Sequence, residues 1–286
     1  MTIHYTFVLM LALGGACPAL EGTLTPRPLD GDSDCPYGYL EYLPAGYGNG
    51  SAAHALVLSF HGKGGEGDGR TDLLSKLTHS GPAHLISGGR DFPAIVLCPQ
   101  ATTWYDVPQV DRFLTWARRR YRIDPQRVYL IGHSAGGSQV WNYAHAHPEV
   151  PAAIVPICGA SDPENPQATK DPARLAALPV WSFHCFGDRT VNRRNTIRWM
   201  NGLARANDRT RLDLMEGYPG PAAGNASAVH GEGKWLWRPG ATPGVIPPSR
   251  SCTLYADSGH DAWTRTYAND AVWDWLLAQR REESGR

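Results

Sequence analysis

The chain has 286 residues, and its 27 Lys+Arg balance 27 Asp+Glu. The formal net charge is therefore zero, and no clustered basic face recruits nucleic acid or acidic lipid. Hydrophobic residues make up 42%, which excludes a disordered chain, and the length suits one large α/β domain with a substantial core.

Tyr5 to Leu13 forms an apolar run too short to span a bilayer, followed at once by small residues and Cys17-Pro18. Residues 1–19 are accordingly expected to be an export signal, although Met1 to His4 supplies no Lys or Arg. Gly14-Gly15-Ala16-Cys17 resembles a bacterial lipoprotein cleavage box, with Gly14 where a larger aliphatic residue is usual. The expected location is outside the cell or in the periplasm or envelope, with Cys17 as a candidate for lipidation. No transmembrane helix is expected.

Residues 20–34, rich in Gly, Pro and Asp, read as a linker, and 35–279 as one α/β domain. Tyr39 to Leu43 alternates as a strand does, and Ala55 to Phe60 and Ala94 to Cys98 read as buried strands. A helix is expected near Leu73 to Leu85. Another is expected from Val107 to Tyr121, where Val110, Phe113, Leu114 and Ala117 share a face and Arg118-Arg119-Arg120 suits the helix C-terminus. Arg127 to Ile131 is a short strand, and the following helix carries Val140, Tyr143 and Ala144 on one face before Pro148.

Strands at Ala152 to Ile157 and Val180 to Phe186 come next, then a helix from Asn192 to Ala206 and a strand near Leu212 to Met215. Residues 216–250 break this rhythm with many breakers, and Tyr218, Trp235 and Trp237 suggest an insertion that packs over a functional site, the alternative being a surface excursion. Cys252 to Tyr255 is strand-like, a Trp-rich helix follows, and 280–286 reads as a frayed charged tail. Such alternation implies a mostly parallel central sheet with helices on both faces.

With Cys17 set aside, Cys35, Cys98, Cys158, Cys185 and Cys252 remain. Cys98, Cys158 and Cys185 lie in strand-like runs and read as buried small hydrophobes, leaving Cys35 with Cys252 as the one pair considered for a disulfide. No Cys-x-x-Cys or His-x-x-x-His spacing argues for a metal.

The most telling stretch is Gly132-His133-Ser134-Ala135-Gly136-Gly137, which joins a strand to a helix through a Gly-x-Ser-x-Gly turn. A serine hydroxyl is a poor nucleophile at neutral pH, so chemistry there needs a turn that exposes its oxygen and a base within reach. The plainer alternative is a Gly-rich turn that caps a helix. In strand–turn–helix sites of this type the order is Ser, then an acid, then His. Asp188, just past the strand ending at Phe186, is the best orienting acid, with Asp257 as alternative. His260, just past Cys252 to Tyr255, is the best base, since the other later histidine, His230, lies in the irregular insertion. The oxyanion donors are expected to be the N–H groups of Ala135 and of Lys63 in His61-Gly62-Lys63-Gly64-Gly65, with Gly64 next. A phosphate cradle is disfavoured there, because the Walker spacing is missing and Lys63 is not followed by Ser or Thr.

His61-Gly62-Lys63-Gly64, Gly132 to Gly137, Pro156-Ile157-Cys158-Gly159, Phe186-Gly187-Asp188 and Gly259 to Trp263 together resemble the α/β-hydrolase superfamily. Within it, the chain is similar to bacterial phospholipase/carboxylesterase, dienelactone hydrolase and polyhydroxybutyrate-depolymerase-like esterases, some described as predicted peptidases. The resemblance runs from about Tyr39 to Leu277. It departs at Lys63-Gly64-Gly65, where relatives often carry a small residue followed by Gly-Glu, and in the 216–250 insertion. It implies a cofactor-independent serine hydrolase that cleaves a small-molecule or polymer-linked ester through an acyl-enzyme on Ser134. A peptidase or amidase using the same residues, or a silent binding protein on this fold, are the alternatives. The oligomeric state is left open.

Overall fold

The computed structural model of the protein describes residues 21–30, 34–206, 237–238, 250–255 and 259–282. Among them nine strands form one sheet. In chain order they are β1 (Thr25–Arg27), β2 (Tyr39–Tyr42), β3 (His54–Phe60), β4 (Ile95–Pro99), β5 (Ile123–His133), β6 (Ala153–Ile157), β7 (Val180–Cys185), β8 (Trp237–Arg238) and β9 (Arg250–Tyr255). Their order across the sheet is β1-β2-β4-β3-β5-β6-β7-β9-β8. The first two pairings, β1 with β2 and β2 with β4, are antiparallel, and every later pairing is parallel.

Helices α1 (Leu73–Leu77), α2 (Gly81–Ser87), α3 (Val107–Arg120), α4 (Ala135–Ala146), α5 (Arg194–Ala206), α6 (Trp263–Ala268) and α7 (Asp270–Ala278) cover both faces. Successive side chains of a strand point to opposite faces, and β3 and β5 show the consequence. Leu56, Leu58, Phe60, Val128 and Leu130 pack with α3, α4 and α5, whereas Ala55, Val57, Tyr129 and Ile131 pack with α1, α2, α6 and α7. Strands buried on both sides therefore read as continuous apolar runs, which is why they were legible in the sequence. The start of α3 is set by Asp106, whose Oδ1 accepts the N–H of Gln109 at 2.7 Å, and by Pro108 in the first turn.

Several expectations are corrected. The helix expected over 73–85 is two helices, because Gly81, the first residue of the second, takes a positive φ of 76° and Pro82 beside it has no N–H to continue the first. The stretch 20–34 is not a linker throughout: Thr25–Arg27 joins the sheet edge, where Arg27 pairs at 2.7 Å with the buried carboxylate of Glu41. Within 216–250, Trp237–Arg238 pairs in parallel with β9, which itself begins at Arg250. The remainder of that insertion, the strand expected near Leu212 to Met215, and the export segment with Cys17 lie outside the described residues. Cys35 and Cys252 share one core cluster but are not joined to each other, and no disulfide links Cys98, Cys158, Cys185 or Cys252 among the described residues. The tail is docked at its start: Arg281 N–H donates to the Gln126 carbonyl at 3.0 Å, and Arg280 pairs with Asp124 at 2.9 Å. Among the described residues no helix is long and apolar enough to cross a membrane.

Candidate active site

Strand β5 runs through His133 and α4 starts at Ala135, so Ser134 alone makes the corner. Its backbone sits at φ 54°, ψ −118°, a conformation that L-residues adopt only when the surroundings enforce it. The neighbouring glycines make the corner feasible by letting backbones touch. A Cβ at Gly132 would lie 2.7 Å from the Gly136 carbonyl oxygen, and one at Gly136 would overlap the Phe60 carbonyl oxygen at the end of β3. Ser134 N–H donates to the Ile157 carbonyl at 2.9 Å, tying the corner to β6. On the far side of α4, Trp141 stacks on Trp199 of α5 at 4.7 Å with an interplanar angle of 2°, anchoring the helix behind the serine.

Asp188 follows β7 and His260 follows β9, so both project from the C-terminal edge of the parallel strands, where open α/β sheets gather their ligands. The structure brings them to Ser134. His260 Nδ1–H donates to Asp188 Oδ2 at 2.6 Å, and Ser134 Oγ–H donates to His260 Nε2 at 2.9 Å. The carboxylate is also tied down from its own side: Oδ1 accepts the N–H groups of Thr190 at 2.8 Å and Val191 at 3.0 Å. Burial by itself would raise the Asp188 pKa. Hydrogen bonds from His184, His260, Val191 and Thr190 outweigh it and hold the carboxyl below the usual carboxylate range.

His184, which the sequence marks only as a strand residue, is a further partner of Asp188. Fully buried on β7, it lies with Nε2 3.2 Å from Asp188 Oδ2, while its Nδ1 is 2.8 Å from the Thr196 hydroxyl. The i, i+4 spacing to Asp188 across a strand end was the available signal.

Ser134 and His260 open onto a cavity of about 670 Å³. Lys63, Ala135, Ser80, Thr190, Trp104 and Trp263 also line it, and among the described lining residues there is no Asp or Glu. The backbone N–H groups of Lys63 and Ala135 have no hydrogen-bond acceptor among the described residues, which leaves two donors free beside the serine. Trp104 is 58% exposed and is one of two large hydrophobic side chains in the described chain that face solvent. His230 and Asp257, the alternative base and acid, lie outside the described residues.

One group of metal-ligand types occurs at the site: Cys158, Asp188 and His260, with ligand atoms all within 4.8 Å of one another. His260 Nδ1 already donates its proton to Asp188, and burial pushes the Cys158 thiol well above its usual pKa, so these three form a hydrogen-bonded pair beside a neutral thiol. The chemistry this arrangement supports is general-base activation of a hydroxyl, with an ionised carboxylate holding the imidazole in the required tautomer.

A profile of the α/β-hydrolase fold matches residues 82–197, a stretch that contains β4, the Ser134 corner and Asp188. The chain has the α/β-hydrolase fold. A thermostable esterase structure superposes on this chain with a TM-score of 0.59 at 20% identity, covering 90% of the chain. The chain spans 63% of that esterase's length. TT1662 from Thermus thermophilus gives a TM-score of 0.53 at 15% identity, covering 90% of this chain and 100% of that one. Dipeptidyl peptidase 4 from Porphyromonas gingivalis also gives 0.53, at 11% identity, covering 90% of this chain and 35% of that one. No curated protein matches the sequence.

Proposed function

We propose that this protein is a serine esterase that cleaves carboxylic esters through an acyl-enzyme on Ser134. The observation that carries the reading is the continuous hydrogen-bonded chain from Ser134 Oγ through His260 to Asp188, at 2.9 and 2.6 Å. His260 Nε2 takes the serine proton as Oγ attacks the ester carbonyl, and Asp188 stabilises the resulting imidazolium. The free N–H groups of Lys63 and Ala135 bind the oxyanion of the tetrahedral intermediate. His260 then returns the proton to the departing alcohol, and a water activated by the same imidazole hydrolyses the acyl-enzyme.

The cavity volume suits a small-molecule ester or one acyl group of a polymer. No step needs a cofactor. Turnover of p-nitrophenyl acetate by the native chain, lost in Ser134→Ala, is the expected result; equal turnover by both proteins would refute it. We further propose that residues 1–19 direct export, with the apolar run Tyr5 to Leu13 as support. Intact-mass analysis of the exported protein tests this, because a retained Met1 would contradict it.

A further inference from the structure

The loop after β3 carries two histidines that the acyl-transfer steps do not use. His61 accepts the N–H of Ala101 on Nε2 at 3.0 Å, so its proton is on Nδ1, which donates to the Gly62 carbonyl at 2.6 Å. From the other side, Gly62 N–H donates to His133 Nε2 at 3.2 Å, so the His133 proton is on Nδ1, 3.1 Å from the Tyr267 hydroxyl. The two rings therefore hold both polar groups of Gly62, whose carbonyl also accepts the Gly65 N–H at 2.9 Å. The peptide between Gly62 and Lys63 is trans, which sets its C=O and N–H in opposite directions. With the carbonyl turned onto His61, the Lys63 N–H is turned away from that ring, and among the described residues it is a donor without an acceptor in a residue that lines the cavity beside Ser134.

The contacts leave little slack. A Cβ at Gly62 would lie 2.8 Å from His133 Nε2 and 3.4 Å from Ser134 Cβ, and Trp263 packs on the His133 ring at 4.8 Å. Burial keeps both imidazoles neutral, as the assigned tautomers require, lowering His61 to about 4 and His133 to about 3.

We propose that His61 and His133 are positioning residues that hold Gly62 by its two backbone groups, His61 at the carbonyl of the Gly62–Lys63 peptide and His133 at the N–H of the preceding one, and thereby aim the Lys63 N–H at the developing oxyanion on the Ser134 adduct. The inference rests on the esterase reading above and deepens it. It makes His133, the variable residue of the Gly-x-Ser-x-Gly turn, a determinant of transition-state binding.

Four variants separate this from general support of the loop. His133→Leu and His61→Leu remove the clamping atoms, whereas His133→Gln keeps an acceptor at the ε position and His61→Asn keeps a donor at the δ position. With p-nitrophenyl acetate, each Leu variant is expected to lose about 10- to 100-fold in kcat with KM changed by less than about twofold, because the donor acts only on the transition state. Affinity for phenylboronic acid, which forms a tetrahedral adduct on the serine, is expected to fall in parallel, and the Gln and Asn variants are expected to recover most of both. Should the Leu variants not fold, Tyr267→Phe removes only the partner of His133 Nδ1 and is expected to move kcat and boronate affinity together, by a smaller factor. Unchanged kcat in the folded variants, or a loss of kcat with boronate affinity intact, would overturn the clamp. A native chain that neither turns over esters nor takes a fluorophosphonate on Ser134 would remove the esterase reading itself, and the clamp with it.

Discussion

Two pairs of buried polar groups meet at the serine corner, and both are built on histidine. On the C-terminal side, His260 faces a carboxylate that accepts its proton-bearing nitrogen at 2.6 Å and can stabilise a positive ring. On the N-terminal side, His61 and His133 have backbone groups, a serine and tyrosines as polar neighbours, and burial holds them neutral. On the proposed mechanism the same side chain is a proton carrier where an ionised partner waits for it, and a fixed dipole where none does. What separates the two roles is the partner more than the residue.

The sharpest way to break the contrast is to remove the proton carrier. His260→Ala is expected to lower kcat for p-nitrophenyl acetate by roughly 10⁶-fold, the scale seen when the base of such a unit is lost. Asp188→Asn leaves the geometry in place but favours the wrong tautomer, and is expected to cost about 10⁴-fold in the same assay. His184→Leu withdraws the second histidine from Asp188 Oδ2 and lets the carboxylate move. A loss of about tenfold in kcat is expected, since small misplacements of reacting groups are costly.

The smallest effect concerns the neutral pair, and its sign follows from the lowered pKa values. Below the ordinary histidine value of 6.5 the unfolded chain binds protons that folded His133 refuses until about pH 3 and folded His61 until about pH 4. Stability contributed by these rings is therefore complete above pH 6.5 and declines as the pH falls toward those values, by on the order of a few kcal/mol. For His133, burial is the main cause, with His61 and His260 adding to it and Asp261 opposing it; for His61, burial is helped by Lys76 and opposed by the bond to Gly62. The slope of Tm between pH 6.5 and 4 is expected to flatten in His133→Gln. An unchanged slope would show that the ring is protonated in the folded state, contrary to the tautomer assigned to it.

Much of this was legible because strands buried on both faces have no polar phase to confuse, and because Ser134, Asp188 and His260 each follow such a strand. The three meet through the sheet's own order, with β5, β6, β7 and β9 adjacent. The parts that were not legible depend on long-range partners. β1 is held by a pairing of Arg27 with Glu41 fourteen residues away, which a Pro-rich stretch gives no sign of. His133 reaches a backbone N–H seventy-one residues earlier and a tyrosine one hundred and thirty-four residues later, so its surroundings say nothing of its role. The break between α1 and α2 was written in Gly81-Pro82 and was overridden by the apolar spacing around it.

The central claim is that Ser134 is made nucleophilic by His260 and Asp188. Its most direct measurement is intact-protein and peptide mass spectrometry after brief exposure to a fluorophosphonate. The account predicts one adduct, on the Ser134 peptide of the native chain, absent from Ser134→Ala and formed far more slowly in folded His260→Ala. Labelling of Ser134 at the same rate in His260→Ala, or no adduct on Ser134 in the folded native chain, would contradict it.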